Sequence, residues 1–355
     1  MSRFFGLGRI SLAGFVAACT SAAPNSGVEA ANENSETTSC EPKVMYEDFG
    51  ALPSWMAAGG DYVYWIDEQS DSLFRQSKSG NEPEVVSANV AAWGAGIAAD
   101  ADAVFVGTRD GSVRRVPVDG SPEVVLAEIG GERASRLQIL GDDLYWLAAG
   151  GQVNGRRVVA DVRRVRKDVG GSSELLWSGA TYGLALGAGY LFVEEYNLPI
   201  TGAPEPNGVI LRVSSAGEAT TLAADLLIPQ VQAADDSFVY YTAQTHDAER
   251  EAQLWRVSVE GGAAELVHVG GLDYHVDVGQ MIVDDGSVWW GQANDGLLIG
   301  IPEAGAQPAS VAVTESPHTL GLAGDDERLY FSGSFSRDAV GPGTIWQVGR
   351  GCPID

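Results

Sequence analysis

The residues able to do chemistry in this chain are few and gathered late. It has four histidines, His246, His268, His275 and His318, all in the last third. Around one of them, Asp273-Tyr274-His275-Val276-Asp277 would, if extended, place Asp273, His275 and Asp277 on one face. Carboxylates with an imidazole suit a divalent cation. The spacing matches no recognised metal signature, so a solvated polar loop is the other reading. Asp pairs at Asp142-Asp143, Asp235-Asp236, Asp284-Asp285 and Asp325-Asp326 look at first like paired acids or calcium ligands. They recur at one place in a repeat, which argues for turns in which Asp accepts local backbone hydrogen bonds. No stretch has the pattern of a serine nucleophile elbow, a P-loop or a cysteine-based site. No catalytic residues are assigned.

The elements that must position these residues come from a repeat. An apolar–aromatic segment occurs seven times: Val63-Tyr64-Trp65, Val104-Phe105-Val106, Leu144-Tyr145-Trp146, Leu191-Phe192-Val193, Val239-Tyr240-Tyr241, Val288-Trp289-Trp290 and Leu329-Tyr330-Phe331. Each is followed by a second apolar strand, often with a basic residue, as in Leu73-Phe74-Arg75 and Leu254-Trp255-Arg256, then in most copies by a glycine turn and a short apolar strand. Each is preceded by an alternating pair such as Met56/Ala58 or Leu137/Ile139. Four strands at a period of 40–50 residues are the mark of a propeller blade. No helical periodicity competes. The fold class is therefore all-β: a seven-bladed β-propeller of four-stranded antiparallel blades, over residues 40–355. The last copy supplies three strands only, and Pro42-Lys43-Val44-Met45-Tyr46-Glu47 can add the fourth, so the N-terminal strand closes the ring.

Ligands of such rings sit over the channel mouth, where the chain enters each innermost strand. Those positions carry Trp55, Trp93, Arg136, Tyr182, Gln230, His275 and His318. Three aromatics, two histidines, an arginine and a glutamine make a platform for a small molecule or peptide; aromatics there also serve simply to cap the core. The longest connections between second and third strands, at 148–160, 194–208, 243–252 and 332–343, should rise on the same face. Two are acidic, with Glu194-Glu195-Tyr196 and His246-Asp247-Ala248-Glu249. They read either as functional loops or as tolerated insertions.

Tyr64-Trp65-Ile66-Asp67 resembles the YWTD repeat of low-density-lipoprotein-receptor propellers, whose rings usually have six blades; the other copies keep only the aromatic strand. Over 40–352 the chain looks like a bacterial lipoprotein propeller of uncharacterised function. Its likeness to the seven-bladed streptogramin lyases, which use a histidine and acids with magnesium, is limited to the fold, and strand pattern specifies fold rather than activity.

Residues 1–19 read as an export signal. Arg3 and Arg9 precede an apolar run, Ile10 to Ala18, too short to span a bilayer. Val16-Ala17-Ala18-Cys19 resembles the lipobox of bacterial lipoproteins, which implies diacylation of Cys19; ordinary secretion, with Cys19 in the discarded peptide, is the other reading. Thr20 is not the inner-membrane-retaining aspartate of that family, so an outer-membrane location is expected. Residues 20–39 are polar and without apolar periodicity, a disordered tether with a reach of roughly 25 Å. With Cys19 lipidated, Cys40 and Cys352 are the two cysteines left in an oxidising compartment, and they flank the ring closure. A Cys40–Cys352 disulfide is expected.

The net charge is −26, and loss of Arg3 and Arg9 makes it −28. That argues against nucleic acid and against electrostatic docking on anionic lipid, leaving the lipid anchor as the membrane contact. The expected function is a non-enzymatic binding or scaffold module for an envelope protein, peptide or glycan, needing no cofactor. The alternative is a channel-mouth hydrolase or lyase using His275 or His318 with a carboxylate and a divalent cation.

Overall fold

The computed structural model describes residues 41–49, 52–90, 96–108, 110–130, 133–149, 152–153, 156–157, 160–195, 206–245, 252–269, 281–284, 287–292, 297–301, 309–313, 318–334 and 342–350. Every regular element among them is a strand. In chain order, β1 (Lys43–Phe49) precedes a first sheet of β2 (Pro53–Gly59), β3 (Tyr62–Asp67), β4 (Ser72–Ser77) and β5 (Glu84–Ala88). A second sheet holds β6 (Ile97–Ala99), β7 (Ala103–Gly107), β8 (Ser112–Pro117) and β9 (Val124–Glu128). A third holds β10 (Arg133–Leu140) and β11 (Asp143–Ala149), the hairpin β12 (Gln152–Val153) and β13 (Arg156–Arg157) as an excursion, then β14 (Ala160–Arg166) and β15 (Glu174–Gly179).

A seven-stranded sheet follows: β16 (Leu184–Gly187), β17 (Tyr190–Glu195), β18 (Gly208–Val213), β19 (Ala219–Ala234), β20 (Phe238–Gln244), β21 (Ala252–Ser258) and β22 (Glu265–Val269). Then come β23 (Ile282–Asp284), β24 (Ser287–Gln292), β25 (Leu297–Ile301) and β26 (Ala309–Val313), and finally β27 (His318–Gly324), β28 (Arg328–Ser334) and β29 (Pro342–Gly349). Strand β1 pairs antiparallel with β29 as the fourth member of that last sheet, with Lys43 opposite Gln347 and Glu47 opposite Thr344. The arrangement is a β-propeller of small antiparallel sheets.

Both faces of each sheet are covered, so the second strands read as continuous apolar runs rather than alternating ones. Val63, Tyr64, Trp65, Ile66 and Asp67 are all buried. Tyr64 and Ile66 pack with Val104 and Val106 of the next sheet. Phe105 in turn packs with Trp146 of the third. One strand thus contributes to two cores.

The seven-stranded sheet departs from the expected separate blades. Strand β19 runs 16 residues without a break: its first half, Ala219 to Leu226, pairs with β18, and its second half, from Leu227, pairs with β20. The bend between them falls at Asp225 and Ile228, with φ of 58° and 46°. Pro229 follows, with no N–H to give to a ladder.

Two of the Asp pairs, Asp235-Asp236 and Asp325-Asp326, form the expected turns. Oδ1 of Asp235 accepts the N–H of Ser237 and Phe238, both at 2.7 Å. Oδ1 of Asp325 accepts those of Glu327 and Arg328 at 3.0 and 2.8 Å. Asp67 is also a turn acid, taking the N–H of Leu52 at 2.7 Å and the hydroxyl of Ser70 at 2.6 Å.

Candidate functional site

Residues of β2, β6, β10, β16, β23, β27 and the second half of β19 line a cavity of about 340 Å³. Its wall is small and apolar for most of its length, with Ala58, Ala99, Leu186, Ala233 and Leu322 among the lining residues. Polar side chains interrupt it at Trp55, Arg136, Gln138 and Gln232.

Trp55 and Arg136 occupy the same place in two blades. Each sits in a β-bulge of the inner strand, where register shifts between Ser54 and Met56 and between Ser135 and Gln138. Each is left-handed, with φ of 41° for Trp55 and 54° for Arg136. The hydroxyl of the preceding serine crosses to the neighbouring strand, Ser54 to the carbonyl of Ile66 at 3.4 Å and Ser135 to that of Leu147 at 3.5 Å. A bulge re-aims the side chain it carries. A bulky residue held left-handed costs about 1–2 kcal/mol, and such strain concentrates at functional positions.

The two glutamines are tied at one end. Nε2 of Gln138 donates to the carbonyl of Leu184 at 2.6 Å, joining β10 to β16. Gln232 is 4% exposed. Its Nε2 donates to Oγ1 of Thr242 at 3.3 Å, and its Oε1 has no hydrogen-bond partner.

Beside the channel lies a buried acid. Glu194, on β17, has no exposed surface. It stands at the strand position taken by Ile66, Leu147 and Thr242 in other blades. Its carboxylate accepts the N–H groups of Tyr182, Gly183 (2.8 Å) and Val231 (2.9 Å), so it braces the starts of two neighbouring inner strands. Burial pushes its pKa up to about 7, only partly opposed by those backbone donors.

Of the expected rim residues, the structure brings Trp55 and Arg136 to the channel. Tyr182 and Gln230 are half-buried, and neither lines the cavity. The backbone of Tyr182 serves Glu194, and Gln230 faces Thr242 in the β19–β20 ladder. His318 begins β27 opposite Ser334. His268 packs its ring 5.6 Å from that of Trp290. Trp93, the candidate metal set Asp273, His275 and Asp277, and the cysteines Cys19, Cys40 and Cys352 lie outside the described residues. Sequence reasoning missed Gln138 and Gln232, which belong to the alternating channel face of their strands, and took Glu194 for an exposed loop acid. The signal for Glu194 was an acid continuing the apolar run of its strand, at the place of Ile66 and Leu147 in other blades.

No family model matches the chain, and no curated protein does. Solved structures match it over most of its length. The oligogalacturonate lyase from Vibrio parahaemolyticus is 8% identical, with a TM-score of 0.60 over 87% of this chain and 98% of that one. The virginiamycin B lyase from Staphylococcus aureus is 9% identical, with a TM-score of 0.55 over 85% and 99%. A chain of a mitotic checkpoint complex is 12% identical, with a TM-score of 0.59 over 91% and 99%. At such identities the likeness shows the propeller fold alone.

Proposed function

We propose that this chain is a lipid-anchored, extracytoplasmic propeller that binds an envelope protein, peptide or glycan at its channel mouth. The carrying observation is the pair Trp55 and Arg136, two bulky residues held left-handed at equivalent bulges and both lining the channel. Trp55 also packs against the core between the first two sheets, but a bulge re-aims the side chain it carries, and strain of this kind clusters at functional positions. Among the described residues the channel wall carries one guanidinium and two amides and no carboxylate. That set favours holding a ligand over the proton transfer a hydrolase or lyase requires.

The ring in this reading has seven blades and is closed. Counting the two halves of the seven-stranded sheet as blades gives the seven. Closure is supported by Met56, Val63 and Trp65 of the first sheet packing with Ala323, Tyr330 and Ile345 of the last. It is supported again by Lys78, which pairs with Asp325 at 2.7 Å in the manner of Lys167 with Asp100 between two consecutive sheets. Cys40 and Cys352 staple the closure as a disulfide, Cys19 carries the lipid at the outer membrane, and residues 20–39 are the tether.

A ligand that binds the folded protein raises its Tm. Fractions of envelope extract are therefore screened for one that raises the Tm of the wild type. The reading requires that the same fraction leave the Tm of Trp55→Ala unmoved; an equal rise in both proteins sinks it.

A further inference from the structure

The channel wall carries charge at one described position. Its one charged lining residue among those described is Arg136, in a chain of 48 Asp and Glu against 22 Lys and Arg. A surface so acidic repels anions at long range and gathers cations. A guanidinium in so acidic a protein does not steer ligands in from a distance; what it adds to binding it adds at contact, where screening is weak.

From this we propose that the ligand enters the channel by a carboxylate carried on a ring or other apolar group. The inference rests on the binding reading above and names the chemistry of what is bound. Three features of the wall fit a carboxylate of this kind. The planar fork of Arg136 matches a carboxylate in two parallel hydrogen bonds. A guanidinium has five N–H donors, so it can hold a protein partner and an arriving carboxylate together. Trp55, from the equivalent bulge, lines the same cavity and packs against the core behind it, so its indole can meet the apolar part that carries the charge.

The third feature is Gln232. Its amide is nine-tenths buried in the channel wall, held at one end by Thr242 and unsatisfied at the other. A buried polar atom without a partner costs about 1–3 kcal/mol, and a ligand hydroxyl or N–H beside the carboxylate would supply one. The cavity, about 340 Å³, lies at the low end of the roughly 300–1,000 Å³ of ligand pockets. It takes one headgroup, not a length of chain, so a larger ligand would insert its end.

The test is a titration followed by the indole N–H resonance of Trp55, assigned with Trp55→Phe, on the whole folded chain. Benzoate is the free carboxylate probe and benzamide its neutral shape-mate. A tripeptide ending in phenylalanine, as the free acid and as the amide, presents the same group at a chain end. Benzoate is expected to move the resonance saturably, and benzamide to bind at least about tenfold more weakly. Arg136→Asn, which keeps a residue tolerant of the left-handed backbone, should weaken benzoate by a similar factor, with Arg136→Gly as a second variant if the first melts early. Preference for the free-acid peptide over benzoate would assign the carboxylate to a chain end; preference for benzoate would assign it to a small molecule.

Benzamide binding as tightly as benzoate would overturn the carboxylate while leaving the channel a binding site. So would inorganic phosphate competing as well as benzoate, since phosphate fits the fork but carries no apolar group to set against Trp55. No shift with any carboxylate also overturns it, and the Tm screen with Trp55→Ala then decides separately whether the channel binds anything.

Discussion

Glu194 on β17 reaches across to the backbone N–H of Val231 on β19, 37 residues later, at 2.9 Å. With Gly183 held at 2.8 Å by the same carboxylate, one side chain sets the spacing of two inner strands at the channel mouth. Burial raises its pKa from the ordinary 4.5 to about 7. Between those values the folded protein keeps a proton that the unfolded chain has released, so the group's stabilising effect is full below pH 4.5 and is lost as pH rises through 7. Relative to Glu194→Gln, the wild type should lose on the order of 3 kcal/mol across that window. The glutamine variant should itself cost about 1–3 kcal/mol at acid pH, because its NH2 faces a backbone donor. Urea unfolding of both proteins at a series of pH values checks this; parallel curves would contradict it.

Gly183 leaves no room for a side chain. A Cβ there would lie 2.1 Å from the carbonyl oxygen of Val231 and 2.7 Å from Oε2 of Glu194. Gly183→Ala should therefore destabilise by about 2–4 kcal/mol, the cost of overpacking with displaced backbone. Gly120→Ala is the comparison: its Cβ would meet nothing within 4 Å, and only its φ of 79° opposes the change. Chemical denaturation should rank Gly183→Ala clearly below Gly120→Ala, and equal midpoints would contradict the account of this contact.

Two arginines of the third strands, Arg75 and Arg212, are clamps between blades. Arg75 lies 4.6 Å over the ring of Tyr62, meets Glu84 at 2.6 Å and donates to the carbonyl of Val118 in the next sheet at 2.8 Å. Arg212 repeats the ring and carbonyl contacts with Tyr190 and Val259, and its ion pair is with Glu260 beside that carbonyl. Arg75→Met should cost about 1–2 kcal/mol through the lost carbonyl bond and ring contact. Glu84→Gln should cost under about 0.5 kcal/mol, because that carboxylate is 57% exposed. Equal losses in the two variants would mean that the ion pair, not the inter-blade bond, is what stabilises.

Removal of β1 should unfold the ring from its seam. Deleting residues through Phe49 strips β29 of its partner and bares a long unpaired edge. The expected outcome is a lowered Tm and concentration-dependent association, read by light scattering. A monomer of unchanged Tm would contradict closure by the N-terminal strand.

The blades were legible in the sequence because burial on both faces forces an unbroken apolar run, as in Val63 to Ile66, and no helix tolerates that pattern at this period. The Asp turns were legible because Asp235 and Asp325 satisfy backbone N–H groups only two and three residues away. What was hidden depends on contacts distant in sequence. Nothing local says that Trp55 and Arg136 share a left-handed bulge, since neither residue type prefers it. Nor does Glu194 announce that its donors stand at Gly183 and Val231. The continuity of β19 was missed because each blade was expected to have four strands of its own, whereas here one strand, bent at Asp225 and Ile228, passes from one blade to the next.

The central claim is that the channel mouth holds the ligand. The direct measurement is quantitative mass spectrometry of what the wild type, Trp55→Ala, Arg136→Asn and Val85→Ser each retain from envelope extract. Val85 is 55% exposed on the outermost strand of its blade and serves as the distant control. One retained species should fall at least about tenfold in both channel variants and stay unchanged in Val85→Ser. Equal retention by all four proteins would contradict the account.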